Sequence, residues 1–369
     1  MARSLQHRLR DEFDWPLFLA VVTLATLGVV NLYSATSAHT GALSELYLQQ
    51  IYWLALGAGA ATIVAAVDYR VYERFAYGAY VATLVALVLV FLVGKSIRGT
   101  HRWIQLGSFL FQPSEFMKLT LMLALARYLH QEAHVERWTL RDLVVPGALI
   151  VVPLGLIMAQ PDLGTALIVG LVATSLLVLQ RIEGSTLLSV LGGGGVTSVL
   201  LWVYGLKQYQ KDRLTTFLAE DKDLRGAGWQ AHQSMVAIGS GGLTGQGFLR
   251  GTQNQHRFLP DTHTDFPFPV WAQEQGLLGT LFILALYLFV ILWGLRIASQ
   301  AKDRFGAALA VGVSALFFWQ VLFNVGMVTG SLPVVGVTLP LFSYGGSSVL
   351  TILLSVGLLM SVSMRRQSF

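Results

Sequence analysis

Two carboxylates and a histidine, Asp261, His263 and Asp265, fall in the run Phe258-Leu259-Pro260-Asp261-Thr262-His263-Thr264-Asp265-Phe266-Pro267-Phe268-Pro269. Three prolines forbid a continuous helix here, so a constrained loop is expected. Asp265 has Phe266, Phe268 and Trp271 as neighbours, an apolar setting that suits a general base because burial favours the protonated form. His263 by itself reads as an ordinary hydrogen-bonding residue. Its spacing from the two aspartates is compatible with a metal ion but not diagnostic of one.

A second group of polar residues interrupts apolar sequence. Gln112-Pro113-Ser114-Glu115-Phe116-Met117-Lys118 opens an apolar helix. Proline suits the first helical turn, and Glu115 there complements the positive end of the helix dipole or serves catalysis. Lys118 lies about a turn further in, where a cation needs a partner. Asp162, in the break Gln160-Pro161-Asp162, is the expected partner, although it also has the position of a helix cap. Lys95, Arg98 and Arg102 cluster in Gly94 to Ile104. They either snorkel to lipid phosphates or form an anion site, with Trp103 at headgroup level.

The elements that must position these residues are set by composition. Of 369 residues, 54% are hydrophobic and only 12% charged, with mean hydropathy +0.61. A soluble domain carries about 25% charged residues, which argues against a cytosolic enzyme. There is no cysteine, so disulfides, thiolate metal sites and cysteine nucleophiles are excluded. The net charge of +5 fits membrane-anchoring cations rather than nucleic-acid binding.

Runs of about 18 apolar residues predict an all-α polytopic membrane protein of about ten transmembrane helices. They cover 16–33, 48–67, 75–94, 113–129, 143–159, 163–180, 185–205, 270–297, 305–328 and 341–362. One large extracytoplasmic loop, 206–270, separates the seventh from the eighth. It is too poor in apolar residues for a core of its own, so it is expected to pack over the mouth of the bundle within a single domain, 1–369. Most Lys and Arg of the short connections lie on the side of the termini, while the opposite connections hold only Lys95, Arg98 and Arg102. The positive-inside rule then puts both termini in the cytoplasm. The first run is long enough to remain as an anchor, and no cleavable leader is expected. Gly192 to Gly195 in the seventh run are expected to permit close helix packing. The glycine run from Gly239 to Gly247 reads as turn chemistry, since no P-loop lysine follows it. The segment from Asn324 to Ser348, apolar yet rich in Pro and Gly, is expected to dip into the membrane as broken helix lining a cavity.

Five segments in this order resemble the SEDS family (shape, elongation, division and sporulation proteins), closest to its rod-shape branch, RodA. They are Arg102-Trp103-Ile104, Gln112 to Lys118, Gln160 to Thr165, His263-Thr264-Asp265-Phe266, and Pro340 to Ser348. The resemblance implies a peptidoglycan glycosyltransferase that polymerises lipid II into glycan strands at the outer face of the bacterial cytoplasmic membrane during cell elongation. It also implies a class B penicillin-binding protein, a transpeptidase, as partner. The family's essential aspartate falls on Asp265, and Arg102, Glu115, Lys118, Asp162, Arg213, His263 and Ser343 become substrate-binding candidates. Two departures stand out: the family often has a glutamate where Arg257 stands and two acids where Gln273-Glu274 stands. Chemically, Asp265 would take the proton of the attacking hydroxyl, with inversion at the sugar. Arg102 and Lys118, with Arg213 as a further candidate, would hold pyrophosphate oxygens, a task a divalent cation could share. A lipid-linked-sugar flippase or other transporter and a non-catalytic cell-wall scaffold remain as alternatives.

Overall fold

The computed structural model describes residues 13–37, 41–97, 100–107, 109–206, 208–218, 227–259 and 261–366. Each of the ten apolar stretches carries a helix: α1 Trp15–Ser37, α2 Leu46–Ala66, α3 Tyr69–Val93, α4 Pro113–Gln131, α5 Val144–Ala159, α6 Leu163–Val178, α7 Gly184–Leu200, α11 Pro267–Ser299, α12 Arg304–Val328 and α13 Gly346–Met364. Seven of them, α1, α2, α3, α7, α11, α12 and α13, are long and apolar enough to cross a membrane. The chain is thus a multi-pass membrane protein. The other three fall short for visible reasons. In α4 the charges of Glu115, Lys118 and Arg127 interrupt the apolar run. α5 and α6 have 16 residues each, about 24 Å at 1.5 Å per residue, less than the ~30 Å hydrocarbon core.

Three details depart from expectation. Within the helical fold, the connection between α3 and α4 is a small antiparallel sheet of Lys95–Ile97 (β1), Thr100–Leu106 (β2) and Phe109–Phe111 (β3), in the order β1-β2-β3. The β-branched and aromatic residues of Thr100 to Phe111 favour extended backbone over the irregular loop expected there. Arg98 and Pro260 lie outside the described residues. Secondly, a Cβ at any of Gly192–Gly195 would meet nothing within 4 Å among the described residues. α7, continued by a π turn at Leu201–Gly205, stands at the edge with 6% of its apolar window buried, against 89% for α13 in the centre. Thirdly, the last helix starts at Gly346 and not near Leu341, because Gly330 to Gly345 form an irregular segment, with turns at its two ends, held by Asn324 and Ser343.

α13 lies against α2, α11 against α12 and α3 against α4. Both described ends of the chain meet at one end of the bundle. There the Asp14 carboxylate accepts from Trp293 Nε1 (2.8 Å) and from Ser363, with Arg366 3.9 Å away.

The 206–270 segment contains α8 Gln208–Leu218, α9 Ala227–Ser240 and the single turn α10 Thr252–Gln255. α9 packs on α11 and α12, and Ser234 donates to the Val328 carbonyl. The glycine run has a definite job. α11 breaks at Gly276 (φ 66, ψ −165). The carbonyls of Gln273 and Glu274 would otherwise accept from Leu277 and Leu278. Instead they accept from Gln246 and Gly247, at 3.0 Å each, while Leu277 and Leu278 donate to Gly242 and Leu243. Backbone groups freed by the kink are thereby re-paired, as a buried helix break requires. A Cβ on Gly245 (φ 82) would lie 2.0 Å from the Glu274 oxygen. Gly245→Val is therefore expected to cost ~3 kcal/mol or more, seen as a lower melting temperature of the purified protein.

Candidate active site

The polar residues gather at the end of the bundle opposite Asp14. α11 runs from Pro267 to Trp293 and Ser299 at the Asp14 end, so Asp265, just before its first turn, lies at the other. The proline-rich stretch is not loop throughout. Pro267 and Pro269 sit in the first turn of α11, where a missing N–H costs nothing.

The Asp265 loop is built on backbone. Asp261, with φ 49, aims its carbonyl at the N–H groups of Thr264, Asp265 and Phe266, at 3.1 to 3.2 Å. Asn324 Nδ2, fully buried, donates to the Asp265 carbonyl (3.0 Å) and to the Val337 carbonyl (2.7 Å). It joins this loop to the turn segment after α12. Phe266 and Phe268 are buried beneath, whereas Asp265 keeps partial exposure. Gly336 (φ 76) leaves room for the carboxylate: a Cβ there would lie 3.3 Å from Asp265 Oδ2. The same segment touches α6, since a Cβ on Gly164 would lie 2.5 Å from the Val335 oxygen. Asp265 is thereby brought near the start of α6, which Asp162 caps.

The expected Lys118–Asp162 pair does not form. Lys118 Nζ donates to Glu115 Oε1 at 2.7 Å, with both side chains under a tenth exposed. Glu115 is one helical turn away, and an i,i+3 partner reaches Lys118 without leaving α4. Glu115 Oε2 is buried with no hydrogen-bond partner. Asp162 takes its other role: Oδ1 accepts from Thr165 N and lies 3.6 Å from Arg102, while Oδ2 accepts from Gln112 Nε2 (3.0 Å) and Ser114. Arg102 also donates to the carbonyls of Gln160 and Pro161 and remains 23% exposed. It therefore keeps a face open to a ligand.

The remaining candidates divide. The His263 carbonyl accepts from Tyr344 N at 2.7 Å, and the two rings are 6.5 Å apart. Burial pushes the Tyr344 phenol up, so it stays a neutral donor, here to Gln49 Oε1. Ser343 is buried and its hydroxyl accepts from Leu339 N (2.8 Å), which closes a turn ahead of α13. Arg213 belongs to α8, but its side chain lies outside the described residues. Of the positions where the sequence departs from the SEDS pattern, Gln273 donates to Ser240 and Thr252, and Glu274 accepts from Ser34 at 2.5 Å. Both brace the kink. Among the described residues no three of His, Asp and Glu come together as metal ligands.

Sequence reasoning passes over Gln112, Ser114, Asn324 and Gly336. Gln112 and Ser114 flank Pro113 at a helix start, a visible position for ligand-facing polar groups. Asn324 and Gly336 give no local signal, because their partners are distant in the chain.

Residues 15–368 match the family model of the FtsW, RodA and SpoVE cell cycle proteins. The chain belongs to this family. Among curated FtsW/RodA/SpoVE relatives, the peptidoglycan glycosyltransferase MrdB of Escherichia coli (strain K12) is 37% identical over 363 residues, 96% of this chain and 95% of that protein. The peptidoglycan glycosyltransferase RodA of Treponema pallidum (strain Nichols) is 33% identical, covering 96% and 98%. Among solved structures, a chain from a peptidoglycan synthase complex that coordinates polymerization and crosslinking superposes with TM-score 0.80 at 32% identity, covering 97% of this chain and 99% of that one. The rod shape determining protein RodA of Thermus thermophilus superposes with TM-score 0.71 at 31% identity, covering 97% and 98%.

Proposed function

We propose that this protein is a peptidoglycan glycosyltransferase that polymerises lipid II into glycan strands at the outer face of the bacterial cytoplasmic membrane. Asp265 is its general base. Near-full-length similarity to proteins named for that activity supports the reaction class. The observation that carries the residue assignment is the part-exposed Asp265 carboxylate on a braced loop, at the same end of the bundle as Arg102.

Asp265 takes the proton from the attacking sugar hydroxyl as its oxygen bonds to the anomeric carbon. The bond from that carbon to the pyrophosphate oxygen breaks, and its electron pair leaves with the polyprenyl pyrophosphate. Attack opposite the leaving group inverts the sugar centre. The leaving group is already a stable anion, so positive charge matters more than a protonating acid. Arg102 supplies that charge directly, and Lys118 does so once its pair with Glu115 opens. A divalent cation bound together with the substrate would add positive charge beside the departing pyrophosphate.

The reading includes ten membrane spans in one domain, with both termini cytoplasmic and the 206–270 segment outside. The short α5 and α6 are accommodated by local thinning of the bilayer. Positive-inside bias and the meeting of Asp14 with Ser363 support this orientation. The partner is a class B penicillin-binding protein, which cross-links the strands. Support comes from the similar chain's place in a synthase complex that couples polymerization to crosslinking.

The test is direct. Purified protein in detergent, given purified lipid II, is expected to yield glycan polymer resolvable by gel. Detergent leaves no two sides to transport between, so polymer selects the enzyme over a flippase. Absence of polymer with an intact, monodisperse protein and its transpeptidase partner added would remove the proposal.

A further inference from the structure

The opposite end of the bundle carries a polar cavity that the polymerisation chemistry does not use. It measures about 460 Å³ and is lined by Asp68, Arg70, Val71, Glu73, Arg74 and Arg127. It lies between the start of α3 and the end of α4, on the side where Arg365 approaches Asp68 (3.7 Å) and donates to the carbonyls of Ala65 and Ala66. Lys118 and Arg127 are nine residues apart on α4, so the cavity is roughly 14 Å along that helix from the buried pair.

Its charges are unevenly committed. Asp68 caps α3 by accepting from Arg70 N (3.0 Å) and faces Arg365, and Glu73 has His130 at 3.9 Å. Arg70 pairs with Asp303 at 3.2 Å. Arg127 donates from one nitrogen to the carbonyls of Glu73 and Arg74, at 2.9 Å each, and lies over the Tyr77 ring at 4.5 Å. Its Nε is buried with no acceptor. The Arg74 side chain has no acceptor among the described residues either. Three guanidiniums thus line one cavity with donor capacity left over, outnumbering its two carboxylates, of which Asp68 already has cationic and backbone partners. Guanidinium groups favour phosphate oxygens in this arrangement. The volume exceeds what a lone phosphate needs and falls in the range of small-ligand sites. Beside it, Phe75 is 66% exposed and Val71 39% exposed, an apolar flank at the end of a membrane-spanning helix.

We infer that this cavity binds the phosphate of an anionic phospholipid headgroup, with Arg70, Arg74 and Arg127 as its cationic lining and Val71 and Phe75 against the start of the acyl chains. The inference rests on the membrane reading of the fold and is independent of the role given to Asp265.

The experiment uses the full-length protein in detergent with fluorescent phosphatidylglycerol as probe. Arg74→Glu reverses an exposed charge, and Val71→Trp fills the cavity without changing charge. Each is expected to weaken binding at least ~10-fold, while Arg181→Glu, an exposed control on the loop between α6 and α7, leaves it unchanged. Phosphatidylcholine is expected to bind no better to the wild type than to Arg74→Glu. Inorganic phosphate that binds with the same Arg74 dependence and displaces the lipid would support the phosphate site and add a soluble source. Two results overturn the proposal: lipid binding indifferent to both cavity variants, or binding reduced as much by Arg181→Glu as by Arg74→Glu. Melting temperatures near wild type exclude misfolding as the cause, and the two cavity variants fail independently of each other.

Discussion

Asp265→Asn is expected to lower glycan polymerisation by about 10²–10⁴-fold, the usual worth of a general base, and to leave the melting temperature within a degree or two of wild type. The reason is geometric. The amide has the size of the carboxylate and fits beside Gly336, while the loop itself hangs on backbone groups: the Asp261 carbonyl and the Asn324 bridge. The change removes the carboxylate's negative charge and its proton-accepting oxygen. Asp261→Asn is the matching control. Asn tolerates the left-handed φ of 49 that position 261 adopts, and the loop uses its carbonyl. That variant is expected to keep activity within a few-fold. Polymerisation assays on purified proteins compare the two. Near-normal polymer from Asp265→Asn would show that the proton leaves by another route, and a scaffold role would predict the same indifference.

The second large effect concerns Lys118 and Glu115. Removing one member of a buried ion pair leaves a charge without compensation and costs ~3–5 kcal/mol. Lys118→Met is therefore expected to lower the melting temperature sharply, all the more because Glu115 Oε2 already lacks a partner. Combining it with Glu115→Met removes both charges, and replacing a buried pair by apolar residues of similar volume is commonly near neutral in stability. The double variant should then regain most of the melting temperature. If the Lys118 charge assists pyrophosphate departure, the double variant remains inactive despite its recovered stability. Recovered polymerisation would reduce the pair to a structural role.

Much of the fold is legible in the sequence because its signal is local. Apolar runs of membrane length mark helices whatever their neighbours, and the stretch at 163–180 leads to α6 within two residues of its end. Proline at a helix start is legible in α4, whereas at Pro267 the same signal reads as a loop when three prolines are weighed together. The Lys118–Glu115 pair is within reach of the sequence, since i,i+3 neighbours on a helix always face each other. Choosing the longer-range Asp162 sets that spacing aside.

What the sequence determined by itself was the solvent: a chain this apolar must be helical in lipid, with its few charges at chosen ends. Tertiary structure alone decided which charges meet. Arg102 finds Asp162 across 60 residues, the glycine run re-pairs the backbone that the Gly276 break exposes, and Asn324 ties the Asp265 loop to Val337. Such pairings are set by how helices pack and where buried polar groups find partners, and no single stretch of chain encodes them. The four glycines of α7, a packing signal by composition, face no neighbour among the described residues for the same reason: contact requires a second surface, which lies elsewhere in the chain.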